Sequence, residues 1–520
     1  MSEKPSKLHK PKDKEEQGTG FARRTDFKWL GLGVVVFILL AVVMPLPESM
    51  LTKAQELFVK LSPEAQAETS PETIAYNIKI IIALLGMCVV FFATEAIPLP
   101  AVALIIGLVQ LFFGTTPPLR IVASYAHDAV WFIAGSLALG ATLIKYGLDK
   151  RIGMLVMRFS GTNIRRIIIG LLLGTSIPAA FIGEHAVAGM YLPIALALYT
   201  LTNKEQSCPN LGRLLAITVA FGCMIGGPMS PTGGARNAIM IGFLTDFGVE
   251  VTFLKWLSMG VAYTLIMVVV MSIILPILFK PEVKDLSYAV SILSKDLEKH
   301  GKMTGKQWLV TAIMALVVFL WITDKSLVKG VLGFSLGLGG IAILGTVIYM
   351  LLGLTTWKDY EGGVSWGVVI LYAGAISLGA AFKSTGAASW LAEGIMSAVE
   401  PLGISSGLPL IILVVLVGAS LTNLMSAGAT VAVIGPVILG MAESSGTNPL
   451  LVGIALAIST SAAFWLVIGT PASSIVYSSG LLTAKDFIRG GSLAWPLAVL
   501  AILGMIVIYW IPVLGIKVGM

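Results

Sequence analysis

Charge is what this chain most lacks. Only 12% of its 520 residues are Asp, Glu, Lys or Arg, while 56% are hydrophobic and the mean hydropathy is +0.91. A soluble domain carries about 25% charged residues. The composition therefore excludes one and predicts an all-α polytopic membrane protein, because helices satisfy their own backbone groups inside lipid. Histidine is nearly missing, with four in the chain, and cysteine numbers three. Cys88, Cys208 and Cys223 are scattered, fit no metal-ligand spacing and are expected to be reduced. So few ligands and nucleophiles assemble neither a metal cluster nor a nucleophile–base pair. No enzyme activity, no cofactor and no metal cluster are expected. The net charge of +7 is no sign of nucleic acid, because the basic residues lie between apolar runs, where they set topology. No cleavable signal peptide is expected: the first apolar run begins only at Trp29, and no small-residue cleavage site follows it.

What is present is a series of apolar runs with marked interruptions. Residues 1–28 are polar and Lys-rich and read as a disordered cytoplasmic tail, which puts the N-terminus inside. Residues 29–279 form a first half and 308–520 a second. Between them, 280–307 carry six lysines among acidic residues and read as a cytoplasmic connector with a short amphipathic helix. The acidic segment Leu46 to Glu72 reads as an external loop. About 11 transmembrane helices are expected. Two apolar segments are too broken for a plain span: 167–198, interrupted by Pro178 and Gly183-Glu184-His185, and 408–441, interrupted by TNLMSAGAT. Both are expected to be re-entrant hairpins. Two further helices are expected to be discontinuous. The one at 213–244 is broken by Gly226, Gly227, Pro228, Pro231, Gly233 and Gly234, and the one at 450–480 is broken at IGTPASS. Unwound backbone at membrane depth is tolerated where it lines a cavity, and in transporters it points to the binding site.

The halves resemble each other. Gly135, Leu139, Gly140, Ala141 and Gly147 recur as Gly374, Leu378, Gly379, Ala380 and Gly386 at one fixed offset. EHAVAGMYLPI (184–194) corresponds to AGATVAVIGPV (427–437), and GGARNAI (233–239) to GTPASSI (469–475). By the order of spans, the first hairpin opens from the cytoplasm and the second from outside. The expected architecture is thus two inverted-topology repeats, with substrate and coupling ion at the midplane.

TEAIPLPAVAL (94–104), residues 125–152, residues 354–392 with their WKD, and GTPASSIVYSSG (469–480) resemble the divalent anion/sodium symporters (DASS), carriers of di- and tricarboxylates or sulfate. The resemblance covers about 76–512. It implies a homodimer in the cell inner membrane and a scaffold near 30–120 and 254–355. It also implies an elevator-type transport part made of the hairpins and broken helices. In that family each hairpin tip carries Ser-Asn-Thr, which binds carboxylates and helps form two sodium sites. Here the tips are Gly183-Glu184-His185 and Ser426-Ala427-Gly428, and the family's Thr-Pro-Pro-Asn bends become Gly234-Ala235-Arg236-Asn237 and Thr470-Pro471-Ala472-Ser473. Carried over position by position, the anion contacts are Gly183, Glu184, His185, Thr232, Gly234, Arg236, Ser426, Ala427, Gly428, Thr470 and Pro471. The sodium contacts are Glu184, Gly233, Asn237, Thr422, Ser426, Ala427, Gly469 and Ser473.

A buried charge costs about 2.5–3.5 kcal/mol on insertion scales and therefore has a partner or a function. Arg236 is the partner expected for Glu184, and the two are read as a fixed ion pair in place of a first sodium ion, with His185 beside it. Two rivals stay open: Arg236 binds an anionic substrate group directly, or Glu184 or His185 takes up a proton. So does the plainer reading that Glu184 sits at a watery mouth with no specific role. The second tip, with Thr422, Asn423, Ser426, Thr430 and the Gly469 carbonyl, offers oxygens for one sodium ion. The resemblance and the site residues together predict sodium-coupled import of a C4-dicarboxylate such as succinate, malate or fumarate. The alternatives kept open are a sulfate or sulfonate carrier, proton coupling or exchange, and, less favoured, a sodium/proton antiporter.

Overall fold

Several helices in this chain start where a small polar side chain can accept from, or a proline can dispense with, the free amides of a first turn. The computed structural model describes residues 25–148, 151–152, 160–298 and 302–519, so residues 1–24 of the expected tail lie outside it. Asp26 opens α1 (Phe27–Ile38), and α2 (Glu48–Val59) bends away from that span by 72°. Ser70 and Pro71 open α3 (Pro71–Thr94). TEAIPLP then turns the chain: Glu95 is left-handed at φ 49, and Pro98 and Pro100 restart the helix as α4 (Leu99–Phe112). Short α5 (Pro118–Tyr125) leads to α6 (Asp128–Lys145), capped by His127, whose Nδ1 accepts from the Ala129 amide at 3.2 Å. Next come α7 (Ile164–Ile182), α8 (Glu184–Glu205), α9 (Pro209–Gly226), α10 (Ala235–Asp246), α11 (Phe253–Leu278) and α12 (Ser287–Glu298).

The second half runs α13 (Gly305–Thr323), α14 (Gly337–Leu351), α15 (Trp357–Gly363), α16 (Trp366–Thr385), α17 (Ala387–Val399) and α18 (Gly407–Leu421). It ends with α19 (Ala427–Ser444), α20 (Pro449–Ser459), α21 (Pro471–Tyr477) and α22 (Ala484–Met505). Among the described residues there is no strand, only two isolated bridges. Among the described residues, ten helices are long and apolar enough to cross a membrane, or up to twelve if each bent pair is one span. The chain is an all-α, multi-pass membrane protein.

Two segments depart from the sequence reading. Residues 46–72 are not a plain loop. A helix forms at Glu48–Val59 after Pro47, with no side-chain cap, and Ser62-Pro63 opens a second at Pro63–Glu68. The connector is also more than a linker. Ile164 N donates to the Lys284 carbonyl at 3.0 Å, and Leu286 N donates to that of Thr162 at 2.9 Å. Glu282 accepts from the Asn210 and Leu211 amides at 2.9 and 3.1 Å, capping α9, while α12 packs on α8. The connector therefore binds the bases of the first hairpin and the first broken helix.

The core is built by exchange between halves. α6 packs on α14 and α16 packs on α4. Each contact is a small-residue crossing of the kind that lets membrane helices approach closely. A Cβ on Gly135 would lie 2.6 Å from that of Ala342, and one on Gly374 would lie 2.5 Å from that of Ala103. Ala103 and Ala342 stand at the same sequence offset as Gly135 and Gly374. Likewise α8 packs on α21, and α19 on α10. Repeated elements that swap partners reciprocally are what an internal two-fold relation produces.

Candidate functional site

Gly183 alone joins α7 to α8. Its φ is +88 with ψ 147, an extended positive-φ conformation that is nearly confined to glycine and costs an L side chain roughly 1–3 kcal/mol. This glycine turns the chain directly from one arm into the other and sets Glu184 in the first turn of α8, 7% exposed. The facing helix breaks at Gly226 and restarts at Ala235 through two 3₁₀ turns, Gly227–Met229 and Pro231–Gly233. Arg236 lies in the first turn of α10, 2% exposed. Its Nη2 donates to Glu184 Oε1 at 2.6 Å. The expected pair is therefore formed. A Cβ on Gly227 would run into both Glu184 Oε1 and Arg236 Nη2, so the glycine before Pro228 is what makes room for it. His185 is exposed, and among the described residues it makes no hydrogen bond. Its ring lies 3.4 Å from where a Gly183 Cβ would be.

The rest of the first break is tied down by its own side chains, as buried polar groups must be. Ser230 Oγ and Thr232 Oγ1 both donate to the Ala180 carbonyl, the latter at 2.7 Å. Asn237 Nδ2 donates to the Gly227 and Ser230 carbonyls at 2.9 and 2.7 Å. Gly233 and Gly234 allow close approach: a Cβ on Gly233 would strike the Gly227 carbonyl, and one on Gly234 would lie 3.4 Å from Arg236 Cζ. Two atoms stay unused. Arg236 Nε and Asn237 Oδ1 are buried with no hydrogen-bond partner among the described residues.

The second site is neutral. Its tip, 422–426, is longer, and Ser426 caps α19 by accepting from Ala429 N at 3.3 Å. Thr422 Oγ1 donates to the Thr460 carbonyl at 2.8 Å. Asn423 Nδ2 donates to the Ala419 and Ala462 carbonyls, and its Oδ1 accepts from Trp465 N at 2.9 Å. Thr470 caps α21, with its hydroxyl 3.1 Å from that of Ser473. Gly469 brings its backbone close to Thr422, whose carbonyl oxygen lies 3.4 Å from a Cβ placed there. Ala427 is buried, Ser426 is half-buried, and Pro471 is exposed at the start of α21.

The structure brings the two sets together. A Cβ on Gly428 would lie 2.9 Å from Ala235 Cβ, so the second tip sits on the restart of the first broken helix. Ser473 Oγ donates to Met224 Sδ at 3.4 Å, joining one break to the other. Sequence reasoning missed the brace behind them. α11, placed with the scaffold by resemblance, binds both breaks. Trp256 Nε1 donates to the Pro228 carbonyl at 3.0 Å and Thr264 Oγ1 to that of Ile225 at 2.8 Å, while Tyr263 Oη meets Ser461 Oγ at 2.9 Å. Trp256, Tyr263 and Thr264 share no motif with the breaks. Their spacing on one helical face was the only available signal.

Comparisons with known proteins agree with this architecture. The sodium:sulfate symporter transmembrane region matches residues 69–516. A protein of Staphylococcus saprophyticus described as sodium-dependent dicarboxylate transporter SdcS is 27% identical over 451 residues, covering 82% of this chain and 85% of the relative. Its namesake in Staphylococcus aureus (strain USA300) is 26% identical over 450 residues, with 82% and 85% covered. Among solved structures, MtrF of Neisseria gonorrhoeae, described with a class of antimetabolite efflux pumps, has a similar fold. Its TM-score is 0.56 at 14% identity, over 79% of this chain and 86% of that one. With a match across most of its length, the chain belongs to the sodium:sulfate symporter family.

Proposed function

We propose that the protein is a secondary active transporter importing a small divalent anion, a C4-dicarboxylate such as succinate, malate or fumarate, together with sodium. One observation carries this reading. The N-termini of α8, α10 and α19 meet where the two tips approach the first break, and free amides and helix dipoles at such ends favour an anion. Arg236 adds a guanidinium there, with Nε unspent. The oxygens of Thr422, Ser426, Gly469 and Ser473 suit a sodium ion, and the relatives' names support both cargo and ion. The hairpins, the broken helices and the α11 that braces them move as an elevator against the remainder, in a homodimer in the inner membrane with its N-terminus in the cytoplasm.

Sulfate or a sulfonate is the second reading. Ala427 and Gly428 bring no side-chain donor to the second tip, where a second carboxylate would need one. The test is uptake of labelled succinate and of labelled sulfate by proteoliposomes, with and without an inward sodium gradient, at two pH values. Sodium-stimulated succinate uptake is expected. Uptake indifferent to sodium at both pH values would remove sodium symport, and preference for sulfate would select the second reading.

A further inference from the structure

The chain supplies its own internal comparison. By the correspondence of 184–194 with 427–437 and of 233–239 with 469–475, Glu184 matches Ala427 and Arg236 matches Ala472. Where the second half has two buried alanines, the first has a carboxylate and a guanidinium 2.6 Å apart, with side chains 8% and 3% exposed. The pair fills the angle between tip and break, since not even a Cβ on Gly227 would fit beside it.

The oxygens around it are also taken. The Ala180, Gly227 and Ser230 carbonyls accept from Ser230, Thr232 and Asn237. Asn237 Oδ1 is the one side-chain oxygen of this break that is buried and unpartnered among the described residues. A sodium ion needs several oxygens at once, and here it would sit next to a guanidinium whose like charge repels it in a medium of low dielectric. The second half differs in charge. It holds no charged side chain at the tip or break, and its Ser426, Thr470 and Ser473 hydroxyls, themselves hydrogen-bonded, stand around the unwound backbone.

We propose that the Glu184–Arg236 pair closes the first half to cations, so that a single sodium ion, held by the second half, accompanies each anion. The proposal rests on the sodium-coupled reading above. The pair itself sums to zero charge, so a dianion moving with one sodium ion carries one net negative charge across the membrane.

The test is equilibrium binding of sodium-22 to the purified full-length protein in detergent, with the monodisperse chain counted by absorbance. One ion per chain is expected. Two or more would overturn the proposal and leave sodium coupling standing. No bound sodium would overturn the proposal and the sodium-coupled reading with it. A second measurement locates the ion. Thr470→Ala/Ser473→Ala should weaken sodium binding at least tenfold, with Ser426→Ala as a milder variant if the double one does not fold. Unchanged affinity in a folded variant of this set would overturn the assignment to the second half.

Discussion

The buried pair makes a quantitative prediction about stability. Removing one member of a desolvated ion pair leaves the other buried and uncompensated, which costs about 3–5 kcal/mol, whereas replacing both members by apolar residues is often close to neutral. Glu184 and Arg236 meet the condition, with side chains 8% and 3% exposed and 2.6 Å apart. Their second-half counterparts show what replaces them without charge: Ala427 and Ala472, both buried. Glu184→Ala is therefore expected to destabilise by about 3–5 kcal/mol, and Arg236→Ala by a similar amount. The double variant should lose less than either single one, chiefly through the volume it vacates. A double-mutant cycle read from thermal unfolding of the purified full chain in detergent, at matched lipid and salt, should give a coupling of several kcal/mol, far above the few tenths expected of independent sites. Arg236→Lys should recover part of the loss of Arg236→Ala, because the pair makes a single Nη2–Oε1 bond that an ammonium can replace in charge but not in reach or shape. Additive losses in the cycle would refute the reasoning: the two side chains would then be solvated separately, and the first tip would be open to water.

Other expectations follow from single contacts. Gly227→Ala should separate the pair, since its Cβ would run into both charged groups, and should show a loss like that of Glu184→Ala in the same unfolding assay. Asn423→Ala removes three hydrogen bonds, two of them between the second hairpin and the second break. Leaving their partners buried should cost about 2–4 kcal/mol and raise protease sensitivity near 460–470. Outside the membrane, Lys145 and then Thr356 hold the Asp359 carboxyl well below the usual carboxylate range, and Ser287 and then Thr162 lower that of Asp285. A depressed carboxyl stabilises above its unfolded value, near 3.9, and loses that contribution as pH falls through the folded one. Neither clasp should therefore change stability between pH 5 and 8, and both should weaken only in stronger acid. Asp359→Asn should flatten the acid limb of a stability–pH curve, and a change centred near neutral pH would contradict the assignment.

What could be read from the sequence, and what could not, divides along a physical line. Interruptions were legible because lipid permits so few of them. Pro178 and Gly183-Glu184-His185 in an apolar run, and six Gly and Pro residues within 226–234, mark backbone that must be held by protein. The ion pair was legible for the same reason, since two charges at that depth need each other. Closures between distant segments were not. Glu282 reaches the amides of Asn210 and Leu211, and Asn423 reaches across to Ala462 and Trp465. An acidic residue in a polar connector and an asparagine in a hairpin tip carry no local sign of whom they serve. The helix at 48–59 is hidden by its charge, because it opens after Pro47 without a side-chain cap and so carries little start signal to set against its glutamates.

The pair also bears on the direction in which such a carrier can do work. Moving one net negative charge into a cell held at 100 mV inside negative costs about 2.3 kcal/mol. At 1.36 kcal/mol per tenfold, that is roughly a fifty-fold penalty on accumulation. One sodium ion entering down a tenfold concentration gradient returns about tenfold, its electrical part being already counted in the net charge. A one-sodium carrier of a dianion would therefore fall short of concentrating it by roughly fivefold. It would import only down a gradient of the anion itself, or run as an exchanger in which one dianion leaves as another enters and the potential drops out. A second sodium ion would remove the electrical penalty entirely. If a second coupling ion were to act at the first tip, it would meet there a guanidinium and its counter-charge. The residues at 184 and 236 thus weigh on whether the protein gathers its substrate or trades it.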